Sequence, residues 1–197
     1  CTVIAEVTDD RRIKMTWRGK TILDLSRDFM DTNGVRQKVN VVVTEPSGIS
    51  SQIDLKSSDV REKWLENLSD LNVCSQKGLA EKFDATAGAF TVLMPFGGKM
   101  QLNPAEGMVA KIPVEKGTTE TCSIMAHGYD PYLSEKSPYH GGMYAVLHSV
   151  AKVVAMGGDY KKIRLSFQEF FEKLHKDPKR WGKPLSALLG AFKVQKE

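Results

Sequence analysis

The chain has 197 residues, 41% apolar and 26% charged, with a formal net charge of +4, an ordinary globular composition with room for one large domain or two small ones. The mild basicity lacks the clustered stripe of a nucleic-acid binder, and no apolar run approaches the ~18–20 residues that a membrane-spanning helix needs. Three widely separated cysteines, Cys1, Cys74 and Cys122, indicate neither a disulfide framework nor a zinc knuckle, so a reducing, cytoplasmic setting is expected.

Residues 1–8 have strand composition from the first residue, so the chain reads as a piece of a longer protein. A second strand is predicted over Arg12–Trp17, paired to the first through the polar turn Thr8–Arg11. Lys20–Ser26 continues apolar after Gly19, Asp31–Gly34 is a turn signal, and Val39–Thr44 is a short extended run before the Ser/Gly/Pro linker Glu45–Ser51. Ser57, Ser58 and Asp59 are placed to cap a helix running through Leu68, with Val60, Trp64, Leu65 and Leu68 at helical spacing. A short second helix is predicted from Ser75 to Lys82.

From Phe83 the period changes to that of strands: Ala89–Met94, Gly107–Pro113 and Thr121–Ala126. The following stretch, residues 137–166, reads as loop, helix, glycine stop and strand. Ser137 and Pro138 suit an N-cap and first turn, although Gly141 and Gly142 leave open a start one turn later. Met143, Val146, Leu147, Val150, Val153 and Val154 recur as a buried face, while Tyr144, His148 and Lys152 share a separate stripe that faces solvent or a cleft. Gly157 and Gly158 end the helix, and residues 162–166 alternate as a half-buried strand. Helices over Phe167–Leu174 and Lys183–Val194 complete an α+β domain, a mixed or antiparallel sheet with covering helices.

The run Ala-Met-Gly-Gly-Asp-Tyr-Lys-Lys-Ile-Arg-Leu-Ser from Ala155, after a helix opened by Ser-Pro-Tyr-His-Gly-Gly from Ser137, resembles the large form of phosphoribosylformylglycinamidine synthase. So do Asp-Leu-Asn-Val-Cys-Ser-Gln-Lys-Gly from Asp70 and Val-Leu-Met-Pro-Phe-Gly-Gly-Lys from Val92. That family, related to aminoimidazole ribonucleotide synthetase, carries two synthetase-like repeats. The resemblance implies the end of the C-terminal domain of the first repeat in residues 1–45, a helical linker in 46–82, and a truncated N-terminal-type domain of the second repeat in 83–197. It further implies ATP and Mg²⁺ as cofactors of the parent enzyme, a nucleotide substrate, and the sister repeat and a glutaminase domain as partners. Beyond the last helix it implies a segment containing Gly-Lys-Asp-Ser. An apolar sheet face would be shared with the sister repeat, so that the piece alone would self-associate. Nucleic acid and membrane are not expected partners.

In the family, a helix glutamate and an asparagine one turn later hold magnesium against phosphates, with an acid from the preceding strand. By position this chain offers His148, Lys152 and Glu120. Two of these three are not oxygen ligands, so no metal is expected on them. Lys152 would act as a point charge on a phosphate; a solvated helix face is the alternative for His148 and Lys152. Gly141 and Gly142, before a helix N-terminus, would let backbone N–H groups approach a phosphate, whereas Gly97–Gly98 reads as a plain turn. His127 and His140 are loop residues for which surface or capping roles are favoured. Two functions follow: part of the ATP- and glutamine-dependent ligase that makes formylglycinamidine ribonucleotide, or a noncatalytic scaffold domain of that enzyme, inactive alone. An unrelated α+β binding module is the third.

Overall fold

A computed structural model describes residues 2–32, 38–49, 55–83 and 90–197. The chain divides into two compact units, Cys1–Val39 and Asn40–Glu197. The expected turn residues Asn33 and Gly34, the linker residues Ser50 and Ser51, and Ala89 lie outside the described residues.

In the first unit, β1 (Arg12–Trp17) pairs antiparallel with β2 (Lys20–Ser26), and Trp17 faces Lys20 across a two-residue turn. Arg18 and Gly19 both take positive φ, 49° and 75°, the requirement of the hairpin turn whose twist matches the strands. The sequence pattern had pointed to a pairing of residues 1–8 with β1 through Thr8–Arg11. Residues 2–8 instead form no strand. Asp10 curls that segment locally: its carboxylate accepts from the Thr8 hydroxyl and the Arg12 N–H, while the Lys14 ammonium holds its pKa at about 2. Ser26 then caps α1 (Arg27–Met30).

The second unit opens on residues 40–49, which form no ladder. Val42 N–H donates to the Pro178 carbonyl at 3.0 Å, which satisfies this extended run without a sheet. Helix α2 (Val60–Ser69) is capped by Asp59, whose carboxylate accepts from Glu62 N–H, and Ser57 donates to the Glu62 carboxylate at 2.6 Å. The short α3 (Lys77–Lys82) follows. Both helices stand where the spacing predicts them, yet neither buries a residue.

Three strands, β3 (Thr91–Leu93), β6 (Gly107–Lys111) and β7 (Cys122–Ala126), make an antiparallel sheet in that order, with Gly107 opposite Ala126 and Lys111 opposite Cys122. Between β3 and β6, β4 (Phe96–Gly97) and β5 (Asn103–Pro104) form a separate two-stranded pairing. The α+β class and the antiparallel sheet with helices agree with expectation.

The core sits among three helices. Asp130 and Pro131 open α4 (Pro131–Lys136), Ser137 and Pro138 open α5 (Pro138–Ala155), and Asp177 and Pro178 open α6 (Pro178–Gln195), each an acceptor cap followed by proline at the first helical position. Thus α5 begins at Pro138 with no delay by the glycine pair. Those glycines serve packing: a Cβ on Gly142 would strike the Ala187 backbone of α6, one on Gly190 the Tyr139 carbonyl of α5, and one on Gly141 would meet Ser134 of α4. Among the described residues, Leu133, Val146 and Ala191 are the buried apolar side chains, and they sit around these crossings. Leu147 and Val154, expected on the buried face of α5, are 45% and 47% exposed, because close contact through Gly142 turns the buried stripe toward Val146 and away from them.

Two further expectations fail. Residues 162–166 are not a strand: Asp159 caps a single 3₁₀ turn, Tyr160–Lys162, and Ile163 onward pairs with no strand. Alternation alone makes no strand where no sheet edge is offered. Residues 167–174 form no helix, and Phe170 is 95% exposed. Eight residues without a packed face do not offset the cost of helix nucleation. The last helix instead starts five residues earlier than predicted and carries Pro184 inside it; its packing on α5 outweighs the backbone bond that proline forfeits.

Candidate functional site

Beside the sheet and α5 lies an open pocket of about 430 Å³. Its one wall is the polar stripe of α5, His148 and Lys152, and its other is Tyr129, Asp130, Pro131 and Tyr132 at the start of α4. Asn72, just after α2, closes one side and Glu106, just before β6, the other.

Lys152 organises the sheet side. Its ammonium lies 2.7 Å from Glu106 Oε2 and donates to the His127 carbonyl at 3.1 Å. Glu106 precedes Gly107 and His127 follows Ala126, and Gly107 and Ala126 are partners in the β6–β7 ladder. Sheet register therefore sets two oxygens side by side, and one helix side chain spans both. The hydrogen bond and charge of Lys152 hold the Glu106 carboxyl below its ordinary pKa, with smaller contributions from His127 and His148. One turn earlier, the His148 ring meets Tyr144 edge to face, with centroids 6.0 Å apart.

The opposite wall is tied by a polar clasp. The Tyr132 hydroxyl and the Asp70 carboxylate act on each other, which lowers the Asp70 pKa and raises that of the phenol. Asn72 Nδ2 in turn donates to Tyr132 Oη at 3.2 Å. The segment after α2, one of the stretches that carried the family resemblance, thus reaches the pocket through Asn72.

Of the residues singled out in the sequence, the structure brings His148 and Lys152 together at the pocket, with the His127 carbonyl on Lys152, and sets Glu120, His140, Gly141 and Gly142 apart. Glu120 pairs with Lys111 at 2.9 Å at the far end of the β6–β7 ladder, opposite the end that Glu106 and His127 occupy. The ladder between those ends is itself about 13 Å long at ~3.3 Å per strand residue. Gly141 and Gly142 do not line the pocket; they face α4 and α6. His140 Nδ1 lies 2.7 Å from Ser137 Oγ within the α5 cap, and His127 contributes its carbonyl.

Glu106 is the acid that sequence reasoning missed. It sits one residue before a predicted strand, within reach of the α5 stripe only once the ladder register is known. A divalent cation does not fit this donor set: one carboxylate, already neutralised, stands with an ammonium and an imidazole where magnesium requires several oxygens. Among the described residues no three His, Cys, Asp or Glu side chains converge as a metal site, and no helix is long and apolar enough to cross a membrane.

Comparison with known proteins gives a consistent answer. Over 158 residues the chain is 23% identical to phosphoribosylformylglycinamidine synthase subunit PurL of Thermoplasma acidophilum, covering 80% of this chain and 20% of that protein. The subunit of the same name from Nocardia farcinica is 25% identical over 169 residues, covering 82% and 21%; that from Staphylococcus epidermidis is 23% identical over 158, covering 79% and 19%. No family model matches the chain, and no solved structure gives a significant match. The chain spans about one fifth of the length of these relatives. The resemblance found in the motifs is thus matched along most of the chain, which is similar over about 80% of its length to the PurL subunits of phosphoribosylformylglycinamidine synthases.

Proposed function

We propose that the chain is part of an ATP- and glutamine-dependent ligase of purine biosynthesis that converts formylglycinamide ribonucleotide to its amidine. The observation that carries the reading is the similarity to PurL subunits across 80% of the chain, supported by the motifs at Asp70, Val92, Ser137 and Ala155. In that chemistry ATP activates the amide oxygen, ammonia from the glutaminase partner displaces phosphate, and the protein supplies position and charge. The setting is cytoplasmic, and the closest partner is the sister repeat. Exposed Val92 and Met125 on the sheet support a face covered in the parent, and its loss would make the piece self-associate.

A second reading concerns the role of this part, and the Lys152–Glu106 pair favours it: the pocket is a structural half-site, with Lys152 and His148 as the groups an anionic ligand would meet, while the reaction centre lies elsewhere in the parent. The test is amidine formation by the full-length protein from substrate, ATP and glutamine. Turnover by the parent, none by the 197 residues alone, and an unchanged kcat in Lys152→Met would agree. An inactive parent would refute the ligase reading; loss of kcat without loss of stability in Lys152→Met would refute the structural one.

A further inference from the structure

We infer that the sheet end of the pocket is a cation position that the chain fills with its own ammonium, so that it takes up no divalent metal. The Glu106 carboxylate and the His127 carbonyl converge on a single point, and that point is the Lys152 Nζ, 2.7 and 3.1 Å away. Neither oxygen arrives by chance, since each is anchored next to a residue of the pair Gly107–Ala126. The helix is anchored against the same end: a Cβ on Gly128 would strike the Ala145 carbonyl, and one on Gly107 the Met156 side chain. With the Gly128 backbone held against α5, the ammonium of Lys152 is placed where both oxygens can reach it. A divalent ion entering there would meet a positive charge at the place it must occupy, and the other α5 side chain there, the His148 imidazole, is a poor exchange for oxygen ligands.

The oxygens should accept a metal once the ammonium is removed and oxygen donors are supplied from α5. His148→Glu with Lys152→Asn does this, since the two positions lie one turn apart on the pocket face. The experiment counts bound Mn²⁺ by electron paramagnetic resonance in the full-length protein, so it reads no activity and does not depend on the ligase assignment. The double variant should hold one more ion per chain than the unaltered protein, and adding Glu106→Gln should remove that ion. A folded double variant that gains no ion would overturn the inference. So would an unaltered protein that loses one on Glu106→Gln alone, and this second comparison decides the matter if the double variant does not fold. An unchanged count in that comparison supports the inference.

Discussion

The β6–β7 ladder carries a lysine–glutamate pair at each end, and the two pairs differ in everything but their chemistry. Lys111 and Glu120 meet at 2.9 Å with the glutamate 89% exposed, joining two strands that are already hydrogen-bonded to each other. Lys152 and Glu106 meet at 2.7 Å with the lysine 26% exposed, joining the helix to the sheet and adding a backbone carbonyl. A surface pair of the first kind contributes between nothing and about 1 kcal/mol. The second links separate elements and leaves a polar carbonyl without its donor if the lysine goes, so it has more to lose. What distinguishes a site from a decorated surface is thus the packing around the pair, not the pair.

The largest difference between the two ends should come from glycines. Gly128→Ala drives a Cβ into the backbone of α5 at Ala145 and Ser149, and should cost about 3 kcal/mol as over-packing against atoms that cannot turn aside. Gly117→Ala, in the loop toward the far end, meets nothing within 4 Å but has φ +78°; its cost should be about 1 kcal/mol from backbone strain alone. Chemical denaturation of both variants measures this, and equal losses would break the contrast. Next in size, Lys152→Met should lower stability by about 1 kcal/mol, a figure kept small because Glu106 is largely solvent-accessible. Lys111→Met should change it by at most a few tenths of a kcal/mol.

Acid should remove what the pocket-end pair contributes. The folded-state pKa of Glu106 is depressed, chiefly by Lys152. Its contribution is therefore full above the unfolded value of 4.5 and is lost as pH falls through the folded value. Glu106→Gln should flatten that part of the stability profile below pH 4.5, and a profile unchanged by the substitution would contradict the coupling.

Much of the helical part of the fold was legible. Caps such as Asp59 and Ser137 act within four residues, so the α2 start could be read from the order of residues and the α5 start narrowed to two adjacent turns. The strands β3, β6 and β7 were visible in their period. What failed depended on neighbours: Ile163 alternates correctly but meets no sheet edge, and Phe170 has no face to bury. α4 escaped because six residues show no helical period, although Asp130 and Pro131 were its signal. In the site, His148 and Lys152 were found from the α5 stripe. Glu106 was not, because its proximity rests on the pairing of Gly107 with Ala126 across a distance in sequence. Gly141 and Gly142 suggested a phosphate loop for the same reason: a glycine needed for helix contact and one needed for ligand approach look alike until the neighbour is seen.

A double-mutant cycle on each pair tests the central claim, that Lys152 serves as the resident cation of Glu106. Lys152→Met and Glu106→Gln, alone and combined, are compared by denaturant unfolding with Lys111→Met and Glu120→Gln treated alike. A coupling of about 1 kcal/mol at the pocket end and one within about 0.3 kcal/mol of zero at the far end is the predicted result. Equal couplings at the two ends, or none between Lys152 and Glu106, would contradict it.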